Sequence, residues 1–224
     1  VAKRGWIWVT SATRLYRVLD VGEGAARLVD KGREMGLPED EWAAPLEDAA
    51  GRTWIRSRTG LYVQESGERE FRRTELAFAP VGRLSGLALG PDGEVWVPTY
   101  SGLWRHREEK WERFGPENGL SAEAVSAIVW DRFGTPWVGM EQHGLSRWNG
   151  FPKWQSWRMR DGLSNDEAMS FARDSAGRLW VGTRNGLNRK RADGGYDVFR
   201  KKNGLAEDEV RALVATADGA GWAG

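Results

Sequence analysis

Four short turns of the sequence carry the side chains best suited to binding a ligand. Each turn ends in a Gly-Leu step, and the residues before that glycine differ between copies: Arg58 and Thr59, Tyr100 and Ser101, Gln142 and His143, Arg184 and Asn185. If the fold brings these hydrogen-bonding groups together around the opening of one pocket, they would suit a polar neutral ligand, or one with a carboxylate. We therefore take as candidate ligand-binding residues Arg58, Tyr100, His143, Arg184 and Asn185. The alternative is ordinary variation of exposed hairpins.

Acidic residues form a second pattern, three positions after the leucine of a Gly-Leu step: Asp40, Glu123, Asp166 and Asp208. A ring of carboxylates could hold a cation or sugar hydroxyls. Short acidic side chains also cap turns by accepting a backbone N–H, and we favour this interpretation.

Residues suited to catalysis are few. The chain has no Cys and only two histidines, His106 and His143. The sequence therefore predicts no catalytic residue, no metal and no cofactor. A net charge of +1 gives no reason to expect nucleic acid as a partner.

A repeat must position these turns. Six Trp-centred segments lie 41 to 46 residues apart, at Trp8, Trp54, Trp96, Trp137, Trp180 and Trp222. This period is typical of four-stranded propeller blades, and the frequent glycines favour short strands over helices. One unit reads as strand A at Val125–Asp131, strand B at "TPWVGM", strand C at "GLSRWN" and strand D at Lys153–Arg160. The fold class is thus an all-β propeller with about 42 residues per repeat.

The aromatic residues divide into two groups. Equivalent strand D positions hold Trp111, Trp154 and Tyr196, and a second set holds Phe114, Trp157 and Phe199; both sets are predicted to pack between strands. Trp42, Trp130 and Trp148 have no aromatic counterparts in other copies. These three are candidates for a stacking platform or a protein contact, although packing on outer strands is the simpler expectation.

The chain begins and ends at a B strand, giving four complete blades and split terminal strands. A single domain, 1–224, could close as five blades if the last A strand paired with the first B strand. It could equally be an arc of a larger ring, which we favour because capping strands are not evident at either end.

Two units carry a closer pattern: "NGLSAEAVSAIVWDRFGTPWVGMEQHGLSRWN" and "DGLSNDEAMSFARDSAGRLWVGTRNGLNRK". They resemble the two-component-regulator propeller repeat, tightly over 118–149 and 161–190, partially over 203–224 and loosely in the first half. The resemblance implies the extracytoplasmic sensor portion of a bacterial signalling protein, in the periplasm, ahead of a membrane span and a histidine kinase or diguanylate cyclase outside this chain.

Some members of that family recognise oligosaccharides, so the resemblance implies an oligosaccharide or another small polar ligand. A scaffold for protein interaction or for a homodimer is the alternative function. Streptogramin-type lyases are also propellers with "DxxGxxW" turns and use His with a metal, which makes a lyase the third interpretation.

Overall fold

A computed structural model describes residues 7–11, 13–19, 27–30, 32–76, 86–149, 154–215 and 221–224. The chain divides into two compact units, Val1–Val97 with Arg105–Glu112 and Pro98–Trp104 with Arg113–Gly224. The helices of the described residues are four 3-10 turns of three residues each, and none could cross a membrane.

The described residues form twenty-one strands, which follow in chain order. They are β1 (Ile7–Ser11), β2 (Arg14–Leu19), β3 (Arg27–Asp30), β4 (Leu46–Glu47), β5 (Thr53–Arg56), β6 (Leu61–Gln64), β7 (Arg72–Arg73), β8 (Ala88–Leu89), β9 (Val95–Thr99), β10 (Gly102–Arg107), β11 (Lys110–Phe114), β12 (Val125–Trp130), β13 (Pro136–Met140), β14 (Gly144–Trp148), β15 (Trp154–Trp157), β16 (Ala168–Arg173), β17 (Leu179–Thr183), β18 (Gly186–Lys190), β19 (Tyr196–Phe199), β20 (Leu213–Ala215) and β21 (Gly221–Ala223).

Four sheets each contain four strands in chain order, namely β4–β7, β8–β11, β12–β15 and β16–β19. β1–β3 form a three-stranded sheet that starts at strand B, and β20–β21 form a two-stranded sheet that ends at strand B. This confirms the propeller blades and the predicted order of strands A to D. β20 pairs with β21, so the last A strand takes its partner from the end of the chain and the terminal "GWAG" is not surplus.

Four predicted boundaries were wrong. Strand B begins at Pro136 and strand C ends at Trp148, each one residue inside the predicted strand. Strand D of the β12–β15 blade ends at Trp157 and not at Arg160, because Met159–Asp161 form a 3-10 turn. The Asp161 carboxylate accepts the Arg158 N–H at 2.8 Å, and Gly162 leaves the turn at a φ of 101°, which a glycine adopts without strain. Lys153 lies outside the described residues. Strand A ends at Trp130, because the Asp131 side chain begins the next turn.

An aspartate organises the A–B turn in three blades, at Asp48, Asp131 and Asp174. One carboxylate oxygen accepts the backbone N–H groups two and four residues later, and the other accepts the indole N–H of the anchor tryptophan six residues later. Burial alone would raise the pKa of Asp174, but the bonds from Trp180 and Arg178 hold that pKa below its usual value.

The β8–β9 turn makes two of these three bonds from a different residue. Gly90 stands where the other blades have aspartate, and Glu94, four residues later, supplies the carboxylate. Its oxygens accept the Asp92 N–H and the Trp96 indole N–H, each at 3.0 Å. The carboxylate occupies the space that a Cβ on Gly90 would need.

Each unit has its own apolar core. In the second unit, Trp137 packs with Leu145, Leu163, Leu179 and Val181. The anchor tryptophan of one blade therefore fills the space against the next, as predicted. In the first unit, the core consists of Leu15, Leu37, Trp42, Ile55, Tyr62 and Phe71.

The strand A of one blade approaches strand B of the preceding blade closely. A Cβ on Gly139 would meet the Ala168 carbonyl oxygen at 2.8 Å, and one on Gly182 would meet the Val210 carbonyl oxygen at 2.6 Å. The "WVG" glycine is thus required by the contact between blades.

Candidate functional site

The B–C turns that hold the candidate residues share one local structure. Thr99 and Thr183 end their B strands, and Ser57 directly follows β5. Each hydroxyl donates to the carbonyl oxygen of the glycine three residues later. The same hydroxyl accepts the N–H two residues later. The strand and this turn fix the backbone and leave the side chains between the Ser or Thr and the glycine free to vary.

The β13–β14 turn departs from this rule. Met140 has no hydroxyl, and three residues, rather than two, precede the glycine. Glu141, not His143, therefore occupies the position of Tyr100 and Arg184. The sequence contained the signal, because Trp137 and Gly144 are seven residues apart where the other copies have six.

Glu141 joins two of the candidates. The Tyr100 hydroxyl donates to Glu141 Oε1 at 2.6 Å, and the His143 Nδ1 lies 2.8 Å from the Glu141 carbonyl oxygen. Tyr100 and His143, from neighbouring blades of the second unit, are thus held against one carboxylate residue that the sequence reasoning did not select.

The next blade continues this line. The Gly144 N–H donates to the Asp166 carbonyl oxygen at 2.6 Å, and the Arg184 N–H donates to that of Glu167 at 3.3 Å. Arg184 Nη1 also lies 3.2 Å from Glu167 Oε2. We call the set Tyr100, Glu141, His143, Glu167 and Arg184 the turn cluster. Hydrogen bonds link these side chains and their turns across three blades of the second unit.

Asn185 lies beside the turn cluster. Its N–H donates to Thr183 Oγ1, its carbonyl oxygen accepts from Arg200 Nε at 3.1 Å, and its side chain is exposed. Arg58 belongs to the first unit, where it has the same kind of partner as Arg184: Nε lies 2.5 Å from Glu41 Oε2. Glu41 and Glu167 both follow the acidic position of the Gly-Leu repeat, a regularity that could have identified them from the sequence.

The predicted acidic residues do cap turns, although at the preceding 3-10 helix and not at strand A. Asp166 Oδ1 accepts the Met159 N–H at 2.6 Å, and Asp208 Oδ1 accepts the Lys201 N–H at 2.7 Å. Asp40 accepts from the Glu41 N–H and the Thr59 hydroxyl. Glu123 instead pairs with Arg113.

The three tryptophans without aromatic counterparts are buried or half-buried by packing. Trp42 is buried in the first core against Tyr62, so it offers no stacking surface. Trp148 stacks on Trp154 with ring centroids 6.0 Å apart and is half-buried, as is Trp130.

His106, unlike His143, is not part of the turn cluster. His106 is buried in the first unit, where its ring packs against Trp54 and Trp111 at centroid distances of 5.0 and 4.7 Å. Burial lowers the pKa of His106 and keeps its ring neutral. A residue so enclosed is a packing element.

Four-stranded blades with a carboxylate-bridged tryptophan turn define the chain as a β-propeller repeat protein. Residues 162–185 match the family model of the Two component regulator propeller, so the chain carries the repeat of this family and the resemblance seen in the sequence is confirmed. No curated protein matches the chain.

Solved structures share the fold at low sequence identity. The chain is similar to the extracellular domain of the hybrid two component system BT3049 from B. thetaiotaomicron, with 14% identity and a TM-score of 0.76 over 99% of this chain and 31% of that one. The extracellular domain of the one component system BT4673 from the same organism gives 17% identity and a TM-score of 0.73 over 99% of this chain and 32% of that one.

A virginiamycin B lyase from Staphylococcus aureus is also similar, with 13% identity and a TM-score of 0.73 over 100% of this chain and 75% of that one. The chain spans about a third of the length of the two B. thetaiotaomicron domains. At these identities the shared property is the fold.

Proposed function

We propose that the chain is an extracytoplasmic ligand-binding module of a bacterial signalling protein, and that the turn cluster binds a neutral, hydroxyl-rich ligand such as an oligosaccharide. The repeat family supports the sensor role, and a periplasmic location follows from it. The output kinase or cyclase, expected outside this chain, would receive the signal. A homodimer is compatible with this role, and neither nucleic acid nor catalysis is part of it.

The paired charges of the turn cluster carry this proposal. The positive charge of Arg184 is matched by Glu167 at 3.2 Å, and the Tyr100 hydroxyl is oriented by Glu141 at 2.6 Å. A carboxylate ligand would have to compete with acids that are already in place. A hydroxyl can donate to a carboxylate and accept from a guanidinium, so adjacent hydroxyls of a sugar match this arrangement without a change in charge.

The lyase interpretation has less support. His106 is enclosed by two tryptophan rings, and His143 touches a backbone carbonyl. Among the described residues no group of three His, Asp or Glu side chains could hold a metal ion. The fold shared with virginiamycin B lyase therefore comes without a matching site in the part of the chain that the structure describes.

Thermal unfolding of the chain with neutral oligosaccharides, amino acids and divalent cations tests the proposal. A ligand at 100 times its Kd adds about 2.7 kcal/mol to the stability, which raises Tm by a readable amount. We expect the shift from a neutral oligosaccharide, and we expect Tyr100→Phe and Arg184→Ala to remove it.

Arg160→Ala is the matched control for Arg184→Ala, because Arg160 is an exposed arginine outside the turn cluster. A ligand shift that Arg160→Ala reduces as strongly as Arg184→Ala would contradict the proposed site. A shift from divalent cations alone, lost in Asp166→Asn, would favour the acidic ring instead. Where no ligand shifts a cooperative transition, the interaction scaffold becomes the better function.

A further inference from the structure

A second charged surface lies at the other end of the sheets, where the A–B turns of the last two complete blades meet the C–D turn of the β16–β19 blade. A cleft of about 370 Å³ opens there, entirely within the second unit. Five basic residues are part of its lining, and Asp131 is the single carboxylate among the described residues that line it. The basic residues are Arg132, Arg173, Arg178, Lys190 and Arg191.

Only some of these charges are neutralised. Arg178 lies 2.6 Å from Asp174, and Arg191 lies 3.1 Å from Asp193. Asp131 itself is taken by Arg147, at 3.2 Å from Nη2.

Three basic side chains of the cleft remain without a carboxylate partner among the described residues. Within the described part of the chain, no carboxylate lies within 4.0 Å of Arg132, Arg173 or Lys190. Arg173 donates to the Gly177 carbonyl oxygen at 2.7 Å, and Lys190 donates to that of Gly194 at 3.3 Å. These carbonyls satisfy hydrogen bonds but bring no negative charge.

Aromatic rings hold the cations in place. Lys190 Nζ lies 4.2 Å from the ring centroid of Trp157 and 4.6 Å from that of Tyr196, and the Arg173 guanidinium lies 5.9 Å from that of Trp137. Cation–π contacts compensate part of the lost hydration.

The remaining imbalance is visible in the titration of the buried bases. Burial lowers the pKa of Lys190, and the charge of Arg147 lowers it further. Burial also lowers the pKa of Arg173; the charge of Asp131 opposes this effect, and the charges of Arg147 and Arg132 add to it. The cleft is therefore positive in a partly desolvated place, where an anion gains most.

The rim of the cleft offers a flat apolar surface. Phe133 is 74% exposed, unusually high for a large apolar side chain, and the Arg132 guanidinium lies 4.7 Å from its ring centroid. A ring that stacks on Phe133 would place an attached anionic group beside Arg132.

We propose that this cleft binds an organic oxyanion carried on a ring, a carboxylate, sulfate or phosphate ester, with the oxyanion between Arg132 and Lys190, in the field of Arg173, and the ring against Phe133. This site is separate from the turn cluster, which lies at the opposite ends of the strands and which we expect to take a neutral ligand.

Isothermal titration of the chain with benzoate, phenyl sulfate and phenyl phosphate tests this proposal and distinguishes the three oxyanions. Benzyl alcohol is the neutral control and inorganic phosphate the control without a ring. We expect at least one aromatic oxyanion to bind, with an affinity that falls as salt is added, and benzyl alcohol not to bind. Absence of binding by all three oxyanions, or equal binding of benzyl alcohol, would overturn the proposal.

Variants locate the site. We expect Arg132→Gln and Lys190→Gln each to weaken binding about tenfold or more, the loss of a charge-assisted hydrogen bond. Phe133→Ala should weaken phenyl phosphate and leave inorganic phosphate unchanged. Arg160→Gln, at an exposed arginine outside the cleft, should have no effect, and an equal loss there would show that binding is non-specific.

Two further features keep the test decisive. Arg132 is exposed, so its variant decides the question even where Lys190→Gln does not fold. Glu141→Gln perturbs the turn cluster only, and it should remove neutral-ligand binding while leaving oxyanion binding unchanged. The failure of one site is thereby distinguished from the failure of the other.

Discussion

In the β8–β9 turn, glycine stands at the aspartate position and the carboxylate comes from Glu94, four residues later. This arrangement predicts a strong energetic coupling between Gly90 and Glu94. Glu94→Thr, which copies Thr135 of another blade, removes the acceptor of the Trp96 indole N–H. Trp96 is only 2% exposed, so water cannot replace the lost bond. An unsatisfied buried donor and a lost charge-assisted bond together cost about 2–3 kcal/mol.

Gly90→Asp alone should also destabilise the protein. The new side chain would overlap the Glu94 carboxylate and set two negative charges against each other. Overpacking of this kind costs about 1–3 kcal/mol.

The double variant restores the arrangement seen at Asp131 and Thr135, so its stability should lie within about 1 kcal/mol of the unchanged chain. The coupling energy is then about 3 kcal/mol in favour of the pair. Equilibrium unfolding in urea, followed by circular dichroism, measures all four corners of the cycle. Glu75→Thr, an exposed glutamate, is the control for the loss of charge. Additive losses in the double variant would refute the idea that the two carboxylates replace each other.

Three further outcomes follow from single residues. Thr183→Val removes a fully buried hydroxyl with three hydrogen bonds and should cost about 2–3 kcal/mol in urea unfolding, without a change in far-ultraviolet circular dichroism. Gly182→Ala should lower Tm by several degrees because its Cβ meets the Val210 carbonyl oxygen, whereas Gly221→Ala, whose Cβ would make only an ordinary contact at 3.9 Å with the Val214 carbonyl oxygen, should leave Tm unchanged. Although burial opposes it, hydrogen bonding lowers the folded-state pKa of Asp48 below 3.8; its contribution is complete above the unfolded-state pKa and is lost as the pH falls through the folded-state value, so Asp48→Asn should flatten acid unfolding and lower stability at pH 7.

The repeat made the fold predictable. Strands B and C follow directly from the "WVG" and "GL" steps, since a buried tryptophan and a turn glycine restrict both the position and the register of the hairpin. The end of strand D was predicted less accurately, because the residue types of Met159–Asp161 are compatible with a 3-10 turn and with an extended strand.

The positions of the B–C turns could be predicted from the sequence, whereas the partners of their side chains could not, and ligand binding there stays a prediction. Tyr100 and Arg184 were identified because they vary where the backbone is fixed. Their acidic partners Glu141 and Glu167 were missed, because one lies in a turn with an inserted residue and the other belongs to a different loop. Partners that are distant in sequence cannot be paired from spacing alone.

The role of the Glu94 carboxylate could not be predicted from the repeat pattern, for a different reason. A pattern that requires Asp at the Gly90 position does not match here, whereas two of the three hydrogen bonds are preserved by Glu94. The family model covers 162–185, although four blades contain the same turn.

The close approach of neighbouring blades at the B-strand glycines has a consequence for their stability. Ser126 donates its hydroxyl to the Ala168 carbonyl oxygen, and Ser170 donates to that of Val210 at 3.2 Å. In both pairs of neighbouring blades a side chain of one blade is thus bonded to the backbone of the next, so the contact between blades contributes to the stability of each. The free energy of unfolding of such a blade therefore includes the energy of its interface with its neighbour.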